Sequence, residues 1–320
     1  INNLNGEAKL TKAKEDAVAS INNLSGLTNE QKTKENQAVN DSQTRDQVAN
    51  VLRDSKALDQ SMQTLRDLVN NQNVIHSTSN YFNEDSTQKN TYDNAIDNGS
   101  TYITGQHNSE LNKSTIDQTI SQINTAKNDL HGAEKLQRDK GTANQEIGQL
   151  GYLNDPQKSA EESLVNGSNT RSEVEEHLNE AKSLNNAMKQ LRDKVAEKTN
   201  VKQSSDYIND STEHQRGYDQ ALQEAENIIN EIGNPTLNKS EIEQKLQQLT
   251  DAQNALQGSH LLEEAKNNAI TEINKLTALN DAQRQKAIEN VQAQQTIPAV
   301  NQQLTLDREI NTAMQALRDK

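Results

Sequence analysis

A six-residue phrase that returns at a fixed interval limits what this chain can fold into. Met62-Gln-Thr-Leu65-Arg66-Asp67 recurs as Met188-Lys-Gln-Leu191-Arg192-Asp193 and as Met314-Gln-Ala-Leu317-Arg318-Asp319, each 126 residues after the last. Gly6, Gly132 and Gly258 keep the same step, as do Ile21, Ile147 and Ile273, then Leu27, Leu153 and Leu279. Tyr81 pairs with Tyr207 in this way, and Tyr92 with Tyr218. The 320 residues therefore hold about two and a half copies of one unit, which reads as a piece of a longer array. Repetition on this scale marks stacked or strung-out structural proteins before it marks enzymes.

Composition alone lies near that of disordered chains: 31% hydrophobic, 2% aromatic and a mean hydropathy of −1.02. Two observations oppose disorder. The net charge of −14 is only about 0.04 per residue, too weak to hold a chain open. The apolar residues also fall at helical spacing, and thin stripes of this kind close small bundles. The acidic balance, without a sustained basic stripe, argues against nucleic acid and anionic membrane. No apolar run is long enough to cross a bilayer. The absence of cysteine excludes disulfides and thiolate chemistry.

Each unit divides into two three-helix modules. Leu261, Leu262, Ala265, Ala269, Ile270, Ile273 and Leu276 line one face of a first helix. Capping boxes at Thr28/Gln31, Asn154/Gln157 and Asn280/Gln283 open a second helix, which carries Ala287, Ile288 and Val291 in the third copy. A third helix starts at Thr44/Gln47, at Thr170/Glu173 and at Thr296, with Pro298 early in it. Val174, Leu178, Ala181, Leu184, Met188, Leu191 and Val195 then run in register, with no Gly or Pro between Arg171 and Lys202. That stretch predicts one helix of about 30 residues, roughly 45 Å long, closing one module and opening the next.

The second module continues with a helix through Tyr218, Ala221, Leu222, Ala225, Ile228, Ile229 and Ile232. Gly233-Asn234-Pro235 is expected to end it through a left-handed glycine cap. A Ser240/Glu243 capping box opens the last helix, through Ile242, Leu246, Leu249, Ala252 and Leu256, and Gly258 marks its end or the join to the next unit. The predicted fold is all-α: tandem three-helix bundles joined by long shared helices into an elongated rod.

The Leu-x-x-Ala-Lys…Ala-Ile…Ile…Leu…Leu-Asn-x-x-Gln pattern at 262–283 resembles GA modules, three-helix units related to bacterial albumin-binding domains. The Tyr-x-Asn…Tyr-Asp-x-Ala pattern at 81–95 and 207–221, with Leu-Asn-Lys-Ser downstream, resembles FIVAR modules. Their alternation is similar to the arrays of giant staphylococcal matrix-binding adhesins. On that resemblance, 1–5 ends a FIVAR-like module; 6–60, 132–186 and 258–312 are GA-like; 61–131 and 187–257 are FIVAR-like; and 313–320 starts another. The resemblance implies a cell-wall-associated, extracellular, monomeric rod that binds host extracellular matrix such as fibronectin. Capture of serum albumin by the GA-like modules, or a pure envelope spacer, are the alternatives. It transfers no functional residue.

The residues themselves give no sign of chemistry. His76, His107, His131, His177, His214 and His260 do not recur at the repeat step, and none has a His partner at helical metal-ligand spacing. They are expected to face solvent. The many carboxylates, such as Glu161, Glu162, Glu173, Glu175 and Glu176, fit solvated helix faces. Tyr92 and Tyr218 fit bundle cores, with Tyr81 and Tyr207 nearer a loop, and Met62, Met188 and Met314 fit packing where modules meet. No catalytic, metal or cofactor residue is assigned, the ligand-binding residues are unknown, and no cofactor is called for.

Overall fold

Helix starts in this chain are set by side chains that satisfy the first free backbone N–H groups. In the computed structural model, which describes residues 5–320, Thr28, Thr44 and Asn280 form reciprocal capping boxes with Gln31, Gln47 and Gln283. Asn154 and Gln157 exchange the same two bonds, as do Thr170 and Glu173. Four of the five residues of the expected N-terminal remnant, 1–5, lie outside the described residues.

Among the described residues the chain is helical throughout and forms no strand. The first copy comprises α1 (Gly6–Asn22), α2 (Asn29–Asp41), α3 (Arg45–Asn70), α4 (Gln72–His76), α5 (Ser79–Phe82), α6 (Ser86–Ile103) and α7 (Lys113–Asn128). The second comprises α8 (Gly132–Gly148), α9 (Asp155–Gly167), α10 (Arg171–Ala196), α11 (Lys198–Gln203), α12 (Ser205–Ile208), α13 (Thr212–Asn230) and α14 (Lys239–Asn254). The third opens with α15 (Gly258–Asn274), α16 (Asp281–Gln292) and α17 (Ile297–Arg318). Contacts divide the chain into two compact units, residues 1–142 with 168–174, and residues 143–167 with 175–320.

In the first unit α1, α2 and α3 pack as one three-helix bundle, and α3 packs again with α6 and α7. Its core is continuous from Ala17, Ile21, Val39 and Val48 through Leu58, Met62 and Leu65 to Tyr92, Ile96, Ile116 and Ile123. In the second unit Leu184, Met188 and Leu191 share a core with Tyr218, Leu222, Ile242 and Leu249, and Leu153 joins it. A separate core holds Leu262, Ala269, Ile273, Ala287, Val291 and Val300.

Four details differ from the sequence reading. The long third helix spans 26 residues, roughly 39 Å, rather than about 30. It stops at Ala196, where Glu197 N–H bonds back to Lys194 O, and α11 then turns Val201 into the core; α3 ends at the equivalent position, Asn70. α13 ends at Asn230 through an extended Glu231, and no described glycine has a positive φ. The Glu231 carboxylate accepts from Thr236 N and Oγ1, which draws the chain out of the helix before Gly233 and leaves Ile232 83% exposed. The last helix is capped by Asn238, whose side chain accepts from Ser240 N, so the Ser240/Glu243 box does not form. Finally, two short helices precede the main FIVAR-like hairpin in each copy, α4 and α5 in the first and α11 and α12 in the second.

Met188 is fully buried, whereas Met314 at the same repeat position is half-buried. Met188→Ala should therefore cost about 2–4 kcal/mol in chemical denaturation, and Met314→Ala under about 1 kcal/mol.

Candidate functional site

Several of the side chains that recur with the repeat and make directed polar bonds lie where one module meets the next. Two kinds of joint result. At the GA-to-FIVAR joint the bundles share a helix, and the repeated phrase lies on it. Met62 and Leu65, like Met188 and Leu191, fill the core, while the arginine reaches back to the loop between the first two GA-like helices. Arg66 Nε donates to Gly26 O at 2.9 Å, Arg192 Nε to Tyr152 O at 2.8 Å, and Arg318 Nη1 to Thr277 O at 3.2 Å. Two turns earlier, Asp59, Asn185 and Asn311 accept from the backbone N–H of Gly26, Tyr152 and Ala278. The capping boxes serve the joint too. Gln31 Nε2 donates to Glu110 O at 2.7 Å and Gln157 Nε2 to Thr236 O at 2.8 Å, so the FIVAR-like hairpin loop rests on the start of the second GA-like helix.

The FIVAR-to-GA joint is polar. Glu84 Oε2 accepts from His131 N at 2.5 Å, and Asp210 Oδ2 from Gln257 N at 2.5 Å, just ahead of α8 and α15. Asn80 and Asp206 accept from Ala133 N and Ser259 N. Oxygens placed here satisfy free donors and face the positive end of the helix. One residue before each carboxylate, Asn83 donates to Asn169 O and accepts from Arg171 N, and Asn209 does the same with Gln295 O and Ile297 N. Each asparagine thus clasps the start of a third helix 88 residues away. Gly132 and Gly258 permit the approach: a Cβ on Gly132 would lie 2.6 Å from Asn83 C, and one on Gly258 2.4 Å from the Ser205 and Asp206 oxygens. At Gly6 a Cβ would meet nothing within 4 Å.

Burial alone would raise the Glu84 carboxyl, but Lys135 Nζ and the Asp85 and His131 N–H groups outweigh it and hold it below the usual range. Asp210 is likewise lowered against its own burial, by Gln257 N–H, Ser211 N–H and His214. Around Glu84 an ionic network adds Lys135 to Asp85 at 2.6 Å and Arg171 to Asp85 and Asp139 at 2.7 and 2.5 Å. Leu261 and Ile297 stand at the Lys135 and Arg171 positions of the next copy, so the network does not recur.

Tyr92 and Tyr218 are buried in the cores. Tyr81 and Tyr207 do more than line a loop. Tyr81 OH donates to Asp93 Oδ2 at 2.6 Å while His76 Nε2 meets Asp93 Oδ1 at 2.7 Å, with the two rings stacked at 4.1 Å. In the next copy Tyr207 OH donates to Asp219 at 2.9 Å and Lys202 takes the histidine's place at 2.9 Å. Burial, with Asp93 beside it, pushes the Tyr81 phenol up to about 12, so it serves as a neutral donor. A His-to-Lys exchange that keeps the geometry identifies a brace for the short helices. His76 is therefore half-buried and engaged, not solvent-facing. The recurring Tyr-Asp dipeptide was the signal for this cluster. Among the described residues no group of three or more His, Cys, Asp or Glu side chains is placed to hold a metal, and no helix is long and apolar enough to cross a membrane.

The GA module model matches residues 7–61, 133–187 and 259–313, and the FIVAR domain model matches 61–131 and 187–257. The extracellular matrix-binding protein ebh of Staphylococcus aureus strain NCTC 8325 / PS 47 is 37% identical over 319 residues, covering 100% of this chain and 3% of the relative. EbhA of strain Mu50 is also 37% identical and is covered over 5% of its length. This chain therefore spans a few per cent of the relatives it matches. The crystal structure of the EbhA 756–1003 domain from S. aureus superposes with a TM-score of 0.70 at 25% identity, covering 77% of this chain and 98% of that one.

Replacing Gly258 with Ala should lower stability by about 1–3 kcal/mol through overpacking of the clasp. Gly6→Ala, in open space, should be neutral or stabilise by up to about 1 kcal/mol through helix propensity. Paired denaturation curves of the two variants check the opposite signs.

Proposed function

Because this chain belongs to the family of alternating GA and FIVAR modules found in the staphylococcal extracellular matrix-binding proteins, we propose that it is a non-enzymatic segment of a bacterial surface adhesin. Its modules, with the boundaries given above, form a rod-like, monomeric stalk on the cell wall, and weak contacts with host extracellular matrix are multiplied along it. Fibronectin is the ligand to test first. The observation that carries the mechanical part is that Asn83 and Asn209, 126 residues apart, make the same backbone bonds across the joint to the next module. Helix sharing at one joint and clasping at the other resist bending. Many feeble sites on such a stalk act together at high effective concentration, so avidity grows without strong single contacts.

Surface resonance over immobilised fibronectin, with one, two and many copies of the unit, tests the adhesion. Retention should rise far more steeply than in proportion to copy number. Absence of retention at every length would leave a spacer, and micromolar capture of serum albumin by single GA-like modules would favour plasma-protein binding. Small-angle scattering tests the stalk: the radius of gyration should clearly exceed the roughly 20 Å of a compact 320-residue globule.

A further inference from the structure

Each GA-like module buries a carboxyl in the layer where its second and third helices pack, apart from Asp59 of the first module, which is buried as the acceptor of the Gly26 and Leu27 N–H groups. In the first copy it is Glu35 on α2, 8% exposed, facing Ser55 on α3; in the second it is Glu161 on α9, 3% exposed; in the third it is Asp307 on α17, 3% exposed. Glu35 and Glu161 share one repeat position, which Ala287 holds in the third copy. Asp307 occupies the position of Ser55 and Ala181 on the partner helix. The carboxyl changes helix between copies and stays in the layer. A group needed for one directed bond would stay at one position, whereas a group needed for its charge state has only to remain buried there.

Among the described residues no ion pair joins Glu35, Glu161 or Asp307 to a Lys or Arg, and His177 near Glu161 does not offset its burial. Glu161 Oε2 and Asp307 Oδ2 have no hydrogen-bond partner, and an ionised carboxylate buried this way is costly. Facing Glu161 from α10, Glu180 raises it and His177 lowers it, while Glu146 of α8 is held by Lys182 at 2.5 Å and Lys158 of α9 reaches Gly148 O. Near Glu35, Ser55 lowers it and Asp54 raises it from α3, while Lys14 of α1 is engaged by Asn40 O and Lys32 of α2 by Asn22 O. Gln303 bonds Asp307 Oδ1 at 3.1 Å; Glu272 of α15 pairs with Arg308, and Arg284 of α16 binds Ile273 O and Asn274 O. Burial is the largest influence on all three groups: it pushes Glu161 up to about 7 and raises Glu35 and Asp307.

We propose that the contact between the second and third helices of the GA-like modules is a proton-operated latch, tightened when the buried carboxyl takes up a proton and loosened when it gives the proton up. A carboxyl raised by folding stabilises fully below its unfolded value, 4.5 for Glu161, and loses that contribution as pH rises through its folded value, about 7. The carboxylates at the FIVAR-to-GA joints behave oppositely. Glu84 and Asp210 lie below their ordinary values of 4.5 and 3.8, so their contribution is complete above those values and fails only in stronger acid. Between about pH 4.5 and pH 7 the second GA-like module loosens while the joints hold, and Glu35 and Asp307, raised in the same direction, loosen theirs as the pH rises above their ordinary values.

Hydrogen exchange of the full 320-residue chain, corrected for intrinsic rates, tests this at about pH 5 and about pH 7.5. Peptides from α9 and the first half of α10 should be protected about tenfold or more better at the lower pH, because Glu161 holds its proton there and gives it up by the higher pH. Peptides from α13 and α14 should change little. The triple variant Glu35→Gln, Glu161→Gln, Asp307→Asn should erase the difference. Equal protection of the wild type at both pH values, or a triple variant that keeps the difference, overturns the latch. Should the variant fail to fold, carbon-13 NMR of the wild-type carboxyls decides: a Glu161 midpoint near 7 supports the latch, and one near 4.5 refutes it.

Discussion

One helix packed into two three-helix bundles along a continuous core is the constraint on which the rest depends. Val48 of α3 is buried with Ile21 and Val39, and Leu58, Met62 and Leu65 of the same helix reach Tyr92, Ile96 and Ile123. α3 cannot tilt to suit one bundle without disturbing the other. Each buried Leu or Met contributes about 1.5–3 kcal/mol, against about 0.5–1.5 kcal/mol for a neutral hydrogen bond. The shared-helix joint is thus held mainly by apolar packing, and the arginine staple and loop acceptors chiefly fix its register. At the FIVAR-to-GA joint the balance reverses. The core of α15, α16 and α17 is separate from the one before it, so asparagine, carboxylate and glycine carry the connection.

Internal repetition separates what a joint requires from what it tolerates. Asn83/Asn209, Glu84/Asp210 and Gly132/Gly258 recur because they contact backbone, whose position is fixed by the fold. The Lys135–Arg171 network contacts side chains and is absent from the next copy. Partly exposed ion pairs of that kind contribute little. His76 and Lys202 show the same tolerance, since either side chain can sit against a Tyr-Asp pair.

The sequence exposed most of the fold because local signals agree with the packing: capping boxes at residues 28, 44, 154, 170 and 280 open helices where the periodicity begins. It misled where tertiary contacts override local preference. Nothing in Lys194-Val-Ala-Glu197 opposes a helix, yet the chain breaks there so that Val201 enters the core. Gly233 looked like a helix end, but Glu231 and Thr236 end the helix first. The clasps were hidden for another reason, since Asn209 and Ile297 are joined by a bond across 88 residues, and no periodicity records that. The recurring glycines were visible and their role was not, because close approach is a property of the partner surface.

The claim that modules are rigidly joined is tested most directly by pulsed electron–electron spin resonance across one FIVAR-to-GA joint. The chain has no cysteine, so single cysteines at exposed Gln223 on α13 and Gln285 on α16 can be labelled uniquely. One narrow distance distribution is predicted, broadened when Asn209→Ala and Asp210→Ala remove the clasp. A broad distribution in the unaltered chain would mean that the joint is a hinge, and would contradict the account.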